Sequence, residues 1–256
     1  MPKKVFFEGI CLSGGFSQLE IMPGRRFIFR FQKNGLQLPI PLDIDNSSVE
    51  NHTIMIGKEQ KIKVVEHLFS SLYGLNIFNV EINLYGDELP FFDGSSYDFV
   101  RSLSDFTDKN DCELFNIEKN ISIQNGDSFI TYEPFSDHEL FIDMELIHPY
   151  IGCQRAALKI TPENYIREIA PARTFVFTDE SDPRLINLPP YGIGITPNTI
   201  YCAQPLRFPD EPVRHKILDL LGDMYILQKK IVGKITARNT SHYLNLEFVR
   251  RLRYSS

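Results

Sequence analysis

Two stretches of this chain share one plan, and a repeated plan predicts a repeated supersecondary unit. VVEHLFSSLYGLNIFNVEINL (64–84) and VRHKILDLLGDMYILQKKIVGKITA (213–237) each open with a helix carrying a histidine near its start. Each then passes a turn and enters a strand of β-branched and apolar residues, followed by a second helix candidate, SSYDFVRSLSDF (95–106) or HYLNLEFVRRLRY (242–254). Alternating segments precede each first helix: RRFIFRFQ (25–32) in one half, FITYEPF and ELFIDMELIH in the other. The expected fold class is therefore α+β, a duplicated unit in which an antiparallel sheet carries two helices on one face. The polar, turn-rich stretch around 105–116 sets the expected boundary, with a first domain over residues 1–110 and a second over 111–256.

Both repeated helices are polar where a lone amphipathic helix would face water. At about 100° per residue, Val213, Ile217, Leu220, Leu221 and Met224 form one apolar stripe, and His215, Asp219 and Gly222 cluster opposite. In the helix at 65–73, Val65, Leu68, Phe69 and Leu72 make the stripe, with His67, Ser70, Ser71 and Gly74 across from it. Either these faces are solvated, or their small residues let a second helical layer approach. The second arrangement is a sandwich of sheet, helices, helices, sheet, with both histidines buried in the middle.

That arrangement has a chemistry. His215 and Asp219 project from one helix face and can bind one ion, and His67 of the partner helix is the natural third ligand. A hydrolytic zinc site takes three protein ligands with nitrogen or oxygen donors and keeps a position for water. Glu66, next to His67, can reach a water beside the metal and act as base. An isolated HxxxD pair occurs in many helices by chance, so the pair alone identifies nothing.

Composition narrows the field. An apolar fraction of 43% with 23% charged residues describes an ordinary soluble globular protein, and a net charge of −6 argues against general nucleic-acid binding. Glu8 interrupts the only apolar run near the start, and no stretch approaches the roughly 18 apolar residues of a spanning helix. Cys11, Cys112, Cys153 and Cys202 have no paired spacing and are expected as reduced thiols of a cytoplasmic protein.

The ordered segments VEHLFSSLYGLNIFNVEI, LPFFDGSSYDFV, APARTFVF, DEPVRHKILDLLGDMY and TSHYLN resemble the bacterial UDP-3-O-acyl-N-acetylglucosamine deacetylases, the zinc enzymes of the committed step of lipid A synthesis. The resemblance spans nearly the whole chain. It implies two β-α-α-β domains with the helices packed between two sheets. It also implies that His67, His215 and Asp219 hold Zn2+ and that Glu66 is the general base for the attacking water. His242 would be the protonated group that stabilises the oxyanion and protonates the leaving amine, with Asp223 orienting it. Thr174 would donate its hydroxyl to the tetrahedral intermediate, and Lys216 would help hold the sugar or its anionic attachment. Taken singly, Thr174 reads as a strand threonine, Lys216 as a solvated lysine, and His242 as the start of the last helix. FDGSS (92–96) reads as a turn and helix start capped by Asp93 or Ser95, and His148 as a residue that positions the fold.

Three departures from the family pattern stand out. Its GxGLHxG segment is GICLSGG here, with Ser13 in the place of histidine. Its KSGH is NTSH, with Asn239 and Ser241, and Arg238 stands next to the missing lysine. After ARTF the family carries a small β-α-β insert that forms an acyl tunnel. Here Pro183, Pro189 and Pro190 predict a stiff, irregular loop in place of its helix. The apolar contacts expected of a shorter or more open acyl groove are Phe175, Leu185, Ile186, Leu188 and Tyr191. The expected protein is a monomeric cytoplasmic amide hydrolase that acts on an acylated UDP-amino-sugar. It would touch the inner membrane surface transiently, and bind no nucleic acid. The alternatives are a divergent deacetylase of another N-acetyl amino sugar and a non-catalytic scaffold of the same fold.

Overall fold

The computed structural model describes residues 4–33, 35–104, 106, 114–135, 138–187 and 192–255. Most of the expected boundary at 105–116, with Cys112, lies outside them, as do Leu188, Pro189, Pro190 and Tyr191.

The first half builds a five-stranded sheet from β1 (Val5–Ile10), β2 (Phe16–Pro23), β3 (Ile28–Lys33), β4 (Leu36–Ile40) and β5 (Val80–Tyr85), in the order β1-β2-β5-β3-β4. The second half repeats it with β6 (Ile121–Asn125), β7 (Ser128–Glu133), β8 (Leu140–His148), β9 (Gly152–Ile160) and β10 (Gly233–Arg238), in the order β6-β7-β10-β8-β9. The two orders are the same, so the duplication seen in the sequence is a duplication of topology.

Each sheet is mixed, which corrects the expectation of a wholly antiparallel one. The strand after each first helix enters the middle of its sheet and lies parallel to an earlier strand: Ile28 opposes Glu81 and Leu140 opposes Gly233. A parallel neighbour needs a long crossover, and in both halves the first helix lies on that crossover. The alternating hydrophobic pattern reports which face of a strand is buried and carries no information on its direction.

The helices are α1 (Glu66–Gly74), α2 (Tyr97–Leu103), α3 (Glu211–Met224) and α4 (His242–Arg253). Val65, Leu68, Phe69 and Leu72 join one continuous core with Ile21, Phe29 and Ile82 of the first sheet. Val213, Ile217, Leu220, Leu221 and Met224 join the same core with Ile130, Ile142 and Ile235 of the second. The opposite faces are buried as well: His67, Ser70 and Ser71 of α1 and His215, Asp219 and Asp223 of α3 are all shut away from solvent. Both helices are thus sandwiched, and the polar faces meet between the layers.

Two glycines allow that contact. A Cβ on Gly222 would lie 2.3 Å from the Glu66 carbonyl oxygen, so a side chain there would hold the backbones of α1 and α3 apart. A Cβ on Gly74 would lie 2.2 Å from the ring of Tyr165, which belongs to a π-helical turn, Tyr165–Ile169, and donates its hydroxyl to Ser70 at 2.9 Å.

Each half also carries a small appended sheet. In the first it is an antiparallel ribbon of Ser47–Glu50, Thr53–Ile56 and Ile62–Lys63. In the second, Phe175–Phe177 pairs in parallel with Ile193–Ile195, which pairs with Ile200–Tyr201. A one-turn helix, Arg184–Asn187, lies between the parallel strands. The expected irregular loop is therefore a strand–helix–strand insert. Pro183 immediately precedes the helix, where a missing N–H costs nothing.

Candidate metal centre

The close approach at Gly222 sets the first turn of α1 against the middle of α3. There one donor atom each from His67, His215 and Asp219 lie within 4.8 Å of one another, all three side chains buried. The Ala172 carbonyl can only accept, so His215 Nδ1 donates to it at 3.0 Å, which turns Nε2 towards Asp219 Oδ1 at 3.2 Å. The His67 ring packs beside Phe91, at 5.4 Å between centroids, and edge-on to His215 at 5.3 Å. Its backbone carbonyl accepts from Ser71 Oγ at 2.9 Å and Ser96 Oγ at 2.8 Å.

Burial pushes the His67 imidazole down to about 3, so it is a neutral ring with a lone pair to offer. Burial also works against a charge on Asp219. The Lys216 ammonium, 2.9 Å away, and the His215 and His242 rings outweigh it and keep the carboxyl well below its ordinary range. The buried Nδ1 of His67 has no partner among the described residues. Two imidazoles and a carboxylate, converging and incompletely satisfied, fit a divalent metal ion with nitrogen and oxygen ligands.

Glu66 sits beside this cluster, 3% exposed, accepting the Ile54 N–H at 3.4 Å. Burial pushes its carboxyl up to about 7. Val64, two residues earlier, is a buried β-branched residue held at φ +58°, with its N–H on the Ile54 carbonyl at 3.0 Å. That backbone is strained, and it forms the bend that aims the chain into α1.

From the other side, His242 begins α4, and Ser241 caps the helix by accepting the Leu244 N–H at 3.3 Å. His242 Nδ1 lies 2.8 Å from Asp223 Oδ2, and its Nε2 lies 3.9 Å from Asp219 Oδ1. Burial alone would lower the imidazole, but the carboxylates of Asp223 and Asp219 outweigh it and raise it to about 9.

The remaining expected residues fall into two groups. Phe175 and Lys216 are at the centre: the Phe175 ring lies 6.2 Å from His215, and the Lys216 ammonium sits 5.5 Å above Phe175. Thr174 is half-buried, its backbone tied to Gly94 at 2.7 Å and to Ile193 at 2.9 Å, two residues from the carbonyl that fixes His215. On the insert, Leu185 is 7% exposed and Ile186 is 82% exposed.

At the departures from the family pattern, Asn239 takes a left-handed backbone, φ +48°, and accepts the Ile147 N–H at 2.7 Å. Arg238 is paired with Glu145 at 2.8 Å, and the Ser13 N–H donates to Glu88 at 3.1 Å. His148 stacks on Phe177, 3.6 Å between centroids, and so joins β8 to the insert.

Four features of the site escape sequence reasoning. Phe91 packs on His67. Arg173, 3% exposed, is paired with the fully buried Glu211 at 2.8 Å and so staples the ARTF segment to the start of α3. Asp93 accepts from Ser95 and pairs with Arg207, which also donates to the Pro171 carbonyl at 2.7 Å. Ser96 stands at the cap position of α2 but makes no capping bond through its side chain, and the first helical N–H, that of Tyr97, donates to the expected Ser95 Oγ at 3.2 Å. Asn245 donates to Asp223 at 2.8 Å. An arginine inside the apolar run APARTFVF signals a buried partner, but nothing in the sequence says which acid it is.

A family model described as LpxC, UDP-3-O-acyl N-acetylglycosamine deacetylase, matches residues 1–254. Among the similar proteins, the UDP-3-O-acyl-N-acetylglucosamine deacetylase of Aquifex aeolicus is 31% identical over 98% of this chain and 91% of its own. The protein of the same name from Campylobacter hominis is 34% identical over 96% of this chain and 87% of its own. That from Geotalea uraniireducens is 30% identical over 98% and 87%. The chain belongs to the UDP-3-O-acyl N-acetylglycosamine deacetylase family.

Proposed function

We propose that this chain hydrolyses the N-acetyl group of UDP-3-O-acyl-N-acetylglucosamine, releasing acetate in lipid A biosynthesis, the substrate being the one that its relatives' names carry. The observation that carries the reading is the buried convergence of His67, His215 and Asp219 with Glu66 and the His242–Asp223 pair around it.

The metal is zinc, held by His67, His215 and Asp219. When bound, it polarises the amide carbonyl and makes water acidic enough to attack near neutral pH. Glu66, its carboxyl poised near neutrality by burial, takes the proton of the attacking water. His242, kept protonated by Asp223, faces the developing oxyanion and then gives its proton to the departing amine nitrogen as the C–N bond breaks. Thr174 adds its hydroxyl to the oxyanion. Lys216 steadies Asp219 and holds the sugar or its anionic attachment, and Phe175 forms an apolar wall beside it. The acyl chain is taken up by the apolar side chains expected for it, Leu185, Ile186, Leu188 and Tyr191. The working unit is a cytoplasmic monomer of two domains, residues 1–110 and 111–256, that meets its substrate at the inner membrane surface. No helix among the described residues is long and apolar enough to cross a membrane.

The test is acetate release from the acylated UDP-sugar by zinc-loaded protein, with a non-acylated UDP-sugar as control. Acetate from the acylated substrate supports the reading. Its absence, or equal rates on both, overturns it.

A further inference from the structure

Asp223 is fully buried, and more than one donor converges on it. Its Oδ2 accepts from His242 Nδ1 at 2.8 Å and from Asn245 Nδ2 at 2.8 Å, while Oδ1 lies 3.1 Å from the same His242 nitrogen. His242 and Asn245 stand three apart on α4, on neighbouring positions of one face. The imidazole alone leaves the carboxylate free to turn, because its N–H lies near both oxygens and either will accept it. The amide removes that freedom. It occupies Oδ2 from a second direction, so the plane of the carboxylate is defined by two donors on one helix.

The orientation of the amide is itself unambiguous. Its NH2 must face the carboxylate, because a carbonyl there would repel it. That leaves Asn245 Oδ1 buried with no partner among the described residues, and the side chain has 0% exposure. An amide half-satisfied in a closed core is poor material for stability alone. What it delivers is its bond to Asp223.

We propose that Asn245 is a positioning residue for proton donation: by fixing the carboxylate plane of Asp223 it fixes the direction in which His242 presents Nε2 to the reacting atoms. The proposal rests on the reading of His242 as the acid and adds a residue to it. Asn245 is fully buried and lies outside the His67, His215 and Asp219 group. Its loss therefore acts on kcat, leaves KM and zinc content alone, and acts only through Asp223.

The experiment pairs a double-mutant cycle with a spectroscopic readout that needs no turnover. Asn245→Leu keeps the branched shape and removes the donor, and Asn245→Ala serves if the bulkier leucine is not tolerated. Either is expected to lower kcat roughly 10-fold or more, in the range of supporting-residue losses, with KM and zinc per chain unchanged. In an Asp223→Ala background the same change is expected to cost nothing further. By NMR, the downfield Nδ1 proton of His242 is expected to move upfield and broaden in the Asn245 variants, whether or not acetate is released. Equal losses of kcat in both backgrounds, or an unmoved His242 resonance, would overturn the proposal. A resonance shift in the Asn245 variants beside a wild-type protein that releases no acetate would uphold the positioning contact and count against the proposed function.

Discussion

The Nδ1 of His242 lies 2.8 Å from a carboxylate oxygen of Asp223, and both side chains are buried. A buried imidazole left to itself loses its proton; one facing a buried carboxylate keeps it. Glu66, across the cluster, is pushed the other way from its usual state, towards holding a proton. The two groups thus have environments that suit opposite jobs, base and acid.

The pH profile follows from those directions. The base works ionised, so the rate climbs as pH rises through the Glu66 titration, which burial moves above the usual carboxylate range. The acid works protonated, so the rate falls as pH rises through the His242 titration, which Asp223 and Asp219 move above the usual imidazole range despite burial. A bell-shaped kcat/KM profile is expected. Glu66→Gln should flatten its acidic limb and His242→Gln its basic limb, each with the metal retained. Near wild-type turnover in Glu66→Gln would send the search for the base elsewhere.

The helix contact at Gly222 should tolerate no side chain. In Gly222→Ala the new methyl meets the Glu66 backbone oxygen at 2.3 Å, which only a separation of α1 and α3 relieves. Overpacking of this kind costs about 1–3 kcal/mol. Because the displaced turn carries Glu66 and His67, metal affinity and kcat should fall together with the melting temperature. A variant that melts earlier yet binds metal normally would show that the contact serves stability alone.

The pairing of Asp93 with Arg207 should be visible in acid. Burial pushes the Asp93 carboxyl up, but hydrogen bonds from Ser95 and the Arg207 charge more than offset it and hold the group below its ordinary range. A depressed folded-state value contributes stability above the unfolded value of about 3.9 and loses it as pH falls through the folded one. Urea midpoints of the wild type and Asp93→Asn should therefore differ most at neutral pH and converge below about pH 4. A constant gap down to pH 3 would mean the carboxylate contributes shape and no charge.

The sequence made some of this architecture legible and concealed the rest for physical reasons. Helical spacing puts His215 and Asp219 on one face, and the matching placement of His67 on the other repeated helix suggests that the faces meet. The structure brings one donor atom of each within 4.8 Å of the others. Strand direction was not legible, since alternation in RRFIFRFQ is the same read either way along a neighbour. Pro183, Pro189 and Pro190 weigh against a helix in the insert, yet Pro183 immediately precedes the one-turn helix Arg184–Asn187, where a missing N–H costs nothing, and the other two lie outside the described residues. The supporting contacts were invisible for a simpler reason. Arg173 and Glu211 are 38 residues apart and Asp93 and Arg207 are 114 apart, and no local pattern joins them.

The proposed zinc ion would draw its ligands from both halves of the chain, His67 from one and His215 and Asp219 from the other, so metal content reads it without recourse to turnover. Purified protein, His67→Ala and Asp219→Ala should be compared by elemental analysis after dialysis against a weak chelator, with circular dichroism to establish that each is folded. About one zinc per chain is expected in the wild type and a sharp loss in both folded variants, because each removal leaves too few of the protein ligands that such a site needs. Full zinc occupancy in both variants would contradict it.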